Sequence, residues 1–218
     1  GTDENVVIPS TFKVSEKYTD EDDGETHTRY HTIKVVAIGS SAFRGKETIK
    51  SVSFPSYLKI IGSSAFRGCI GIVGEINLSS VSSIGEEAFR GCSGITGVRF
   101  SEGLTYIGSS AFGGCTSLRS IKMPLSLKTL GGSAFSGCTA LETAEINGTG
   151  LDLSSSKFIF SGCTSLKDVT FGDGVIALCN QTEVDFGYNE NKMVIANTTF
   201  DGNYVTCNGG AIHNKGAV

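Results

Sequence analysis

One phrase returns down this chain at a fixed interval, and it limits the fold more than any other feature. It reads IGSSAFRG from Ile38, IGSSAFRGC from Ile61, IGEEAFRGC from Ile84, IGSSAFGGC from Ile107 and LGGSAFSGC from Leu130, with starts 23 residues apart. A looser sixth copy, FIFSGC, runs from Phe158 to Cys163. A short unit at fixed period builds a solenoid, in which each unit packs on its neighbours and size grows by length. Such an architecture favours surface recognition over catalysis.

Each unit carries its own structural signals. After Cys115 come Leu118, Ile121 and Met123 with Arg119, Ser120 and Lys122 between them, and Ile121-Lys122-Met123 alternates as a strand does. Pro124 ends that strand and Pro55 ends another, because proline has no N–H for a ladder. The other copies supply Ile49, Val52, Phe54; Ile95, Val98, Phe100; Leu141, Ala144, Ile146; and Leu166, Val169, Phe171. The copy after Cys69 slips by one residue, with Glu75 where an apolar side chain is due and Ile76 and Leu78 one place late. A one-residue slip turns a strand over, so a bulge is expected near Gly74 and Glu75. Further on, Leu58, Val81, Leu104, Leu127 and Val175 mark another apolar position. The Ser-Ser-Ala-Phe-Arg-Gly run then predicts about one helical turn, with serine at its start, glycine at its end and phenylalanine pointing inward. Stacked strands would form a parallel sheet on one face, with a phenylalanine spine near the other. Six or seven coils would span about 30–35 Å.

Five of the seven cysteines, Cys69, Cys92, Cys115, Cys138 and Cys163, occupy one repeat position, which Lys46 takes in the first copy. A repeated position predicts a buried column of free thiols, since disulfides join different positions. Metal binding fits poorly, because ligands stacked one per coil point in parallel. Cys179 and Cys207 lie outside the column and could pair with each other.

Composition narrows the functions further. Charged residues are 18% of the 218 and the net charge is −4, which argues against nucleic acid and gives no polybasic segment for an anionic membrane. No apolar run approaches the roughly 18 residues that span a bilayer, so no direct membrane insertion is expected of this segment. The chain starts at Gly1 with polar, acidic residues and shows no signal peptide, as expected of a mature or trimmed chain.

The pattern L/I-x-x-I-x-x-P…L-x-x-I-G-x-x-A-F-x-x-C at this period resembles the treponemal-type leucine-rich repeat of BspA-like bacterial surface proteins, over residues 33–178. The resemblance implies an α/β repeat fold: a right-handed, curved leucine-rich-repeat solenoid with its parallel sheet on the concave face and short helical turns opposite. It also implies export to the cell surface or secretion, attachment to host or bacterial surface proteins, and no shared catalytic residues.

Residues 1–32 read as an N-terminal β-hairpin cap. VVIPSTF from Val6 gives a strand and turn, and YHTIKVVAIG from Tyr30 leads into the first repeat. Between them the acidic stretch from Tyr18 to Arg29 reads as an exposed hairpin loop that shields the open end of the core. Alternatively Asp20, Glu21, Asp22, Asp23 and Glu25 could hold calcium, although their spacing is not that of the helix–loop–helix calcium loop. Residues 179–218 read as a C-terminal cap or the start of a β-helix. Phe186 and Phe200 open two F-x-x-N motifs, and GGAI follows at Gly209, which resembles repeats of chlamydial-type polymorphic outer-membrane proteins.

No catalytic constellation is visible. His27, His31 and His213 lack a partnered nucleophile motif, no G-x-S-x-G occurs, and no G-K-[ST] follows the glycine pairs. No cofactor is expected. Asn147, Asn180 and Asn197 open glycosylation tripeptides. The candidate binding surface is the outward side of the strands: Lys50, Arg99, Arg119, Lys122, Glu142, Glu145, Lys167 and Asp168. Lys50 is flanked there by Ser51 and Ser53, and Thr96, Gly97, Ser120, Thr143 and Thr170 fill the remaining outward positions. Arg99, Arg119 and Lys122 are expected to form a basic patch beside an acidic one of Glu142 and Glu145. Without exposed aromatics, binding there would be polar and salt-sensitive. The leading expectation is a non-catalytic, monomeric adhesion or protein-binding module. A passive spacer carrying another domain is the alternative, and an enzyme using His213 and Cys207 a third reading.

Overall fold

The computed structural model describes residues 4–22, 24–153, 156–172, 175–176, 194–195 and 213–214. Most of its strands stack in parallel along two rows. The strand-face row comprises β1 (Asn5–Val7), β5 (Ser51–Ser53), β7 (Gly74–Leu78), β9 (Ile95–Phe100), β11 (Ser120–Lys122), β13 (Thr143–Ile146) and β15 (Asp168–Phe171). The second row comprises two-residue strands: β4 (Ala37–Ile38), β6 (Ile60–Ile61), β8 (Ser83–Ile84), β10 (Tyr106–Ile107), β12 (Thr129–Leu130), β14 (Leu151–Asp152) and β16 (Val175–Ile176). β2 (Thr11–Thr19) and β3 (Thr26–Lys34) pair antiparallel as a hairpin. β17 (Val194–Ile195) and β18 (His213–Asn214) continue the parallel ladder from β15. The cap or β-helix expected over residues 179–218 otherwise lies outside the described residues, as do Cys179 and Cys207.

The second row is a parallel sheet that two-residue segments are too short to announce by alternation. Its inner members, Ile38, Ile61, Ile84, Ile107 and Leu130, are the residues that open each copy of the repeat, and all are buried. The expected slip is present: the β7–β9 register shifts between Gly74 and Glu75, and Gly74 adopts φ 86°. Ile76 and Leu78 thereby reach the core while Glu75 faces outward.

The helical turns do not form, and no helix occurs among the described residues. The Ser-Ser-Ala-Phe run folds instead as chained turns. Alternate N–H groups bond three residues back, as Ala65 to Gly62 and Arg67 to Ser64 do, while those between them cross to the next coil. Ser64 donates to Glu86 O, Phe66 to Ala88 O and Gly68 to Arg90 O, at 2.7–2.8 Å. An α-helix would keep these donors inside the segment. Here cross-coil bonds take half of them, and Ser41, Ser64, Glu87, Ser110, Ser133 and Phe158 assume φ of 54–58°.

The core lies between the two rows. Phe43, Phe66, Phe89, Phe112, Phe135 and Phe160 stack in a file with neighbouring ring centroids 5.0–6.1 Å apart. The five column cysteines are free and buried, and each thiol donates to a carbonyl of the preceding coil. Cys92 Sγ lies 3.0 Å from Phe66 O, which also accepts the Cys69 N–H. The thiol therefore fills space and satisfies a second lone pair of a buried carbonyl, which a purely apolar column would leave unpaired. Burial pushes the Cys92 thiol up to about 12 and Cys115 well above the ordinary thiol range. Cys138 is raised by its neighbour Cys163 and by burial.

Close approach of the coils depends on glycine. A Cβ on Gly108 would sit 2.5 Å from Glu86 N and 2.7 Å from Gly85 C, both backbone atoms that cannot yield. Gly39 holds the same repeat position in the first coil and meets nothing within 4 Å. Gly108→Ala is therefore expected to cost about 1–3 kcal/mol through overpacking. Gly39→Ala should melt within about 0.5 kcal/mol of the parent. Equal losses in thermal denaturation would show that coil spacing is not the constraint.

At the N-terminal end, β1 pairs with β5, and Val6 and Ile8 pack on the core. The shielding comes from this strand. No residue of β2 or β3 is buried, and the strands extend through much of what read as loop, leaving only a tight tip. There the Asp20 carboxylate accepts the Asp22 N–H at 2.9 Å, and Gly24 N–H bonds Asp20 O. Among the described residues no three carboxylate, histidine or cysteine side chains converge as metal ligands.

Candidate interaction surface

The outward positions of the strand row fall into files set by backbone pairing. Asn77 lies opposite Arg99, Lys122 opposite Glu145, and Glu145 opposite Thr170. A second file lies at the strand entrances, where Glu142 N–H donates to Arg119 O and Lys167 N–H to Glu142 O. Lys50, Arg119, Glu142 and Lys167 thus stand one residue before β5, β11, β13 and β15, all exposed.

The separate basic and acidic patches do not form. Each acid reaches across to a base on the neighbouring coil. Arg99 contacts Glu75 Oε1 at 3.0 Å, Lys122 Nζ meets Glu145 Oε1 at 2.9 Å, and Lys167 Nζ meets Glu142 Oε2 at 2.8 Å. One coil's rise brings side chains on adjacent strands within ion-pair reach, so opposite charges in one file join. Lys167 holds the Glu142 carboxyl below its ordinary range, and Lys122 with Asn147 does the same for Glu145. These pairs are largely exposed and add little stability.

Glu75 belongs to this surface although the repeat pattern assigned its position to the core. The slip in register was its signal, since turning a strand over presents an inward position to solvent. Asn147, read as a glycosylation site, is buried: its amide donates to Met123 O at 2.9 Å and Glu145 Oε1 at 3.1 Å, so no glycan fits there.

Two adjoining grooves mark the middle of the surface. One, of about 610 Å³, is lined by Glu75, Arg99, Lys122, Thr143, Glu145 and Asp168 among others. The next, of about 470 Å³, shares Arg99, Lys122 and Glu145 and adds Phe100, Pro124 and the exposed Leu125. Arg99, Lys122 and Glu145 are therefore the charged part of the shared wall, beside Val98.

Two rows of parallel strands, about six turns and a phenylalanine file define a leucine-rich-repeat solenoid. The family profile of the BspA type leucine rich repeat region matches residues 36–167 in six copies, and the chain belongs to that family. Among solved structures, the chain is similar to the Treponema pallidum leucine-rich repeat protein TpLRR at 25% identity. That alignment covers 80% of this chain and 76% of the other, with a TM-score of 0.43. It is also similar to a Bacteroides capillosus leucine-rich repeat protein at 26% identity, covering 66% and 77%, with a TM-score of 0.36. The pneumococcal vaccine antigen PcpA aligns at 15% identity over 88% and 84%, with a TM-score of 0.31. No curated protein matches the chain.

Proposed function

We propose that this chain is a non-catalytic protein-interaction module of a bacterial cell-surface or secreted protein, and that it binds through its strand face. Membership of the BspA-type family supports the class, and the shared groove wall of Arg99, Lys122 and Glu145 carries the assignment of the face. Lys50, Arg119, Glu142, Lys167 and Asp168 extend the contact along the files. No helix among the described residues is long and apolar enough to cross a membrane. The partner is a host or bacterial surface protein with its own alternating charges, able to exchange with the cross-coil pairs.

The test is capture from panels of extracellular-matrix and bacterial surface proteins, followed by charge reversal at Arg99, Arg119 and Lys122. The triple variant is expected to lose at least tenfold in affinity. The parent complex should weaken steadily as salt screens the exposed pairs. Capture that ignores all three reversals would assign binding elsewhere, and absence of any capture would favour the spacer.

A further inference from the structure

The hairpin is the one part of the described fold that the solenoid does not explain. β2 and β3 are nine residues each, pair only with one another among the described residues, and expose most of their side chains. A lone two-stranded ribbon is marginal in water, and each open edge presents unpaired backbone groups. We propose that the outer edge of β3 pairs antiparallel with β3 of a second copy, giving a two-fold dimer joined by a four-stranded sheet.

Backbone parity selects the groups involved. Asp20 N–H bonds Glu25 O at the tip and Val35 N–H bonds Ser10 O at the root, which fixes the alternation between them. Glu25, His27, Arg29, His31 and Ile33 direct their backbone groups toward β2. Thr26, Thr28, Tyr30, Thr32 and Lys34 direct theirs outward. A two-fold axis at Tyr30 sets Tyr30 against itself, Thr28 against Thr32 and Thr26 against Lys34. These pairs make about ten hydrogen bonds.

The sequence favours this edge and this register. Tyrosine and threonine pair well across strands. The β2 edge centred on Ser15 would oppose Lys13 to Lys17, a like-charge contact. Moving the β3 axis to Arg29 opposes two arginines, and moving it to His31 leaves Thr26 without a partner. Charge complementarity also points to a second copy. Antiparallel pairing brings the root Lys34 of each copy beside the acidic tip of the other, with its Asp20, Glu21, Asp22 and Glu25. Tyr30, 70% exposed in one chain, becomes the central contact.

The experiment measures mass by light scattering and sedimentation on the full chain, with Cys179 and Cys207 replaced by serine. The expected mass at high micromolar concentration is twice 22.8 kDa. Tyr30→Lys places two like charges on the axis and should return the monomer mass. Ser15→Lys, on the other edge, should leave the dimer intact. Tyr30→Cys should form an interchain disulfide under mild oxidation, because directly opposed Cα atoms lie near 5.5 Å. Ser15→Cys should not. A monomeric parent at about 100 µM would overturn the proposal. So would a dimer that survives Tyr30→Lys, or cross-linking at Ser15→Cys in place of Tyr30→Cys.

Discussion

Raising the pH from 9 to 11 is expected to destabilise this solenoid strongly. The unfolded chain gives up its thiol protons near pH 8.5. In the fold, desolvation raises Cys69, Cys92 and Cys115, and Cys138 is raised by its neighbour Cys163 together with burial. A thiol whose folded pKa is raised contributes its full stability below the unfolded value and loses it as pH climbs toward the folded one. For Cys92 the window therefore runs from about 8.5 to about 12. Each such thiol removes about 1.4 kcal/mol per pH unit inside its window. Cys163, lowered by its hydrogen bond with Cys138, works in the opposite direction and offsets its partner, so Cys92 and Cys115 carry most of the loss. Urea midpoints measured from pH 7 to 11 should stay flat, then fall as the pH passes the unfolded thiol range. Cys92→Ser keeps a hydroxyl donor for Phe66 O but does not titrate in this range, so its slope should drop by about one proton. An unchanged slope would remove the column as the cause.

Phe112→Ala is expected to cost about 3–5 kcal/mol. Phe112 is fully buried, stacks at 5.3 Å on both Phe89 and Phe135, and takes the edge of Phe100 at 5.8 Å. Its removal opens a cavity that the cross-coil bonds on either side prevent from collapsing. Stability in a stacked array is a sum of unit and neighbour terms, so loss at the middle also weakens the coupling between the two halves. The denaturation curve should broaden or split as well as shift. Phe43, partly buried and stacked on Phe66 alone, should lose less than half as much on Phe43→Ala. Equal costs at the two positions would argue against a cooperative file.

Period and residue type announced the stack, the inward phenylalanines, the free thiol column and even the bulge at Gly74. These are consequences of a buried side chain repeated in register, which a sequence records directly. The second sheet was hidden because two residues cannot alternate. The turns after it read as helical because Ser, Ala, Phe, Arg and Gly suit a helical turn locally. The competing choice, donation of alternate N–H groups to the next coil, is a non-local gain that a single unit cannot display. The surface was legible as a set of positions and misread as a charge pattern. Lys122 and Glu145 are 23 residues apart, and only the stacking of β11 on β13 makes them neighbours. Glu75 escaped because its strand was turned over by one inserted glycine.

The direction of the cross-coil hydrogen bonds also sets how this protein carries a load. They run along the stack, so tension applied to the two ends pulls them apart singly and does not shear them together. Under such tension the chain would yield from its ends, one coil at a time. Each coil released would add about 75 Å of extended backbone. A brief tug is then absorbed by lengthening before the rest of the stack gives way.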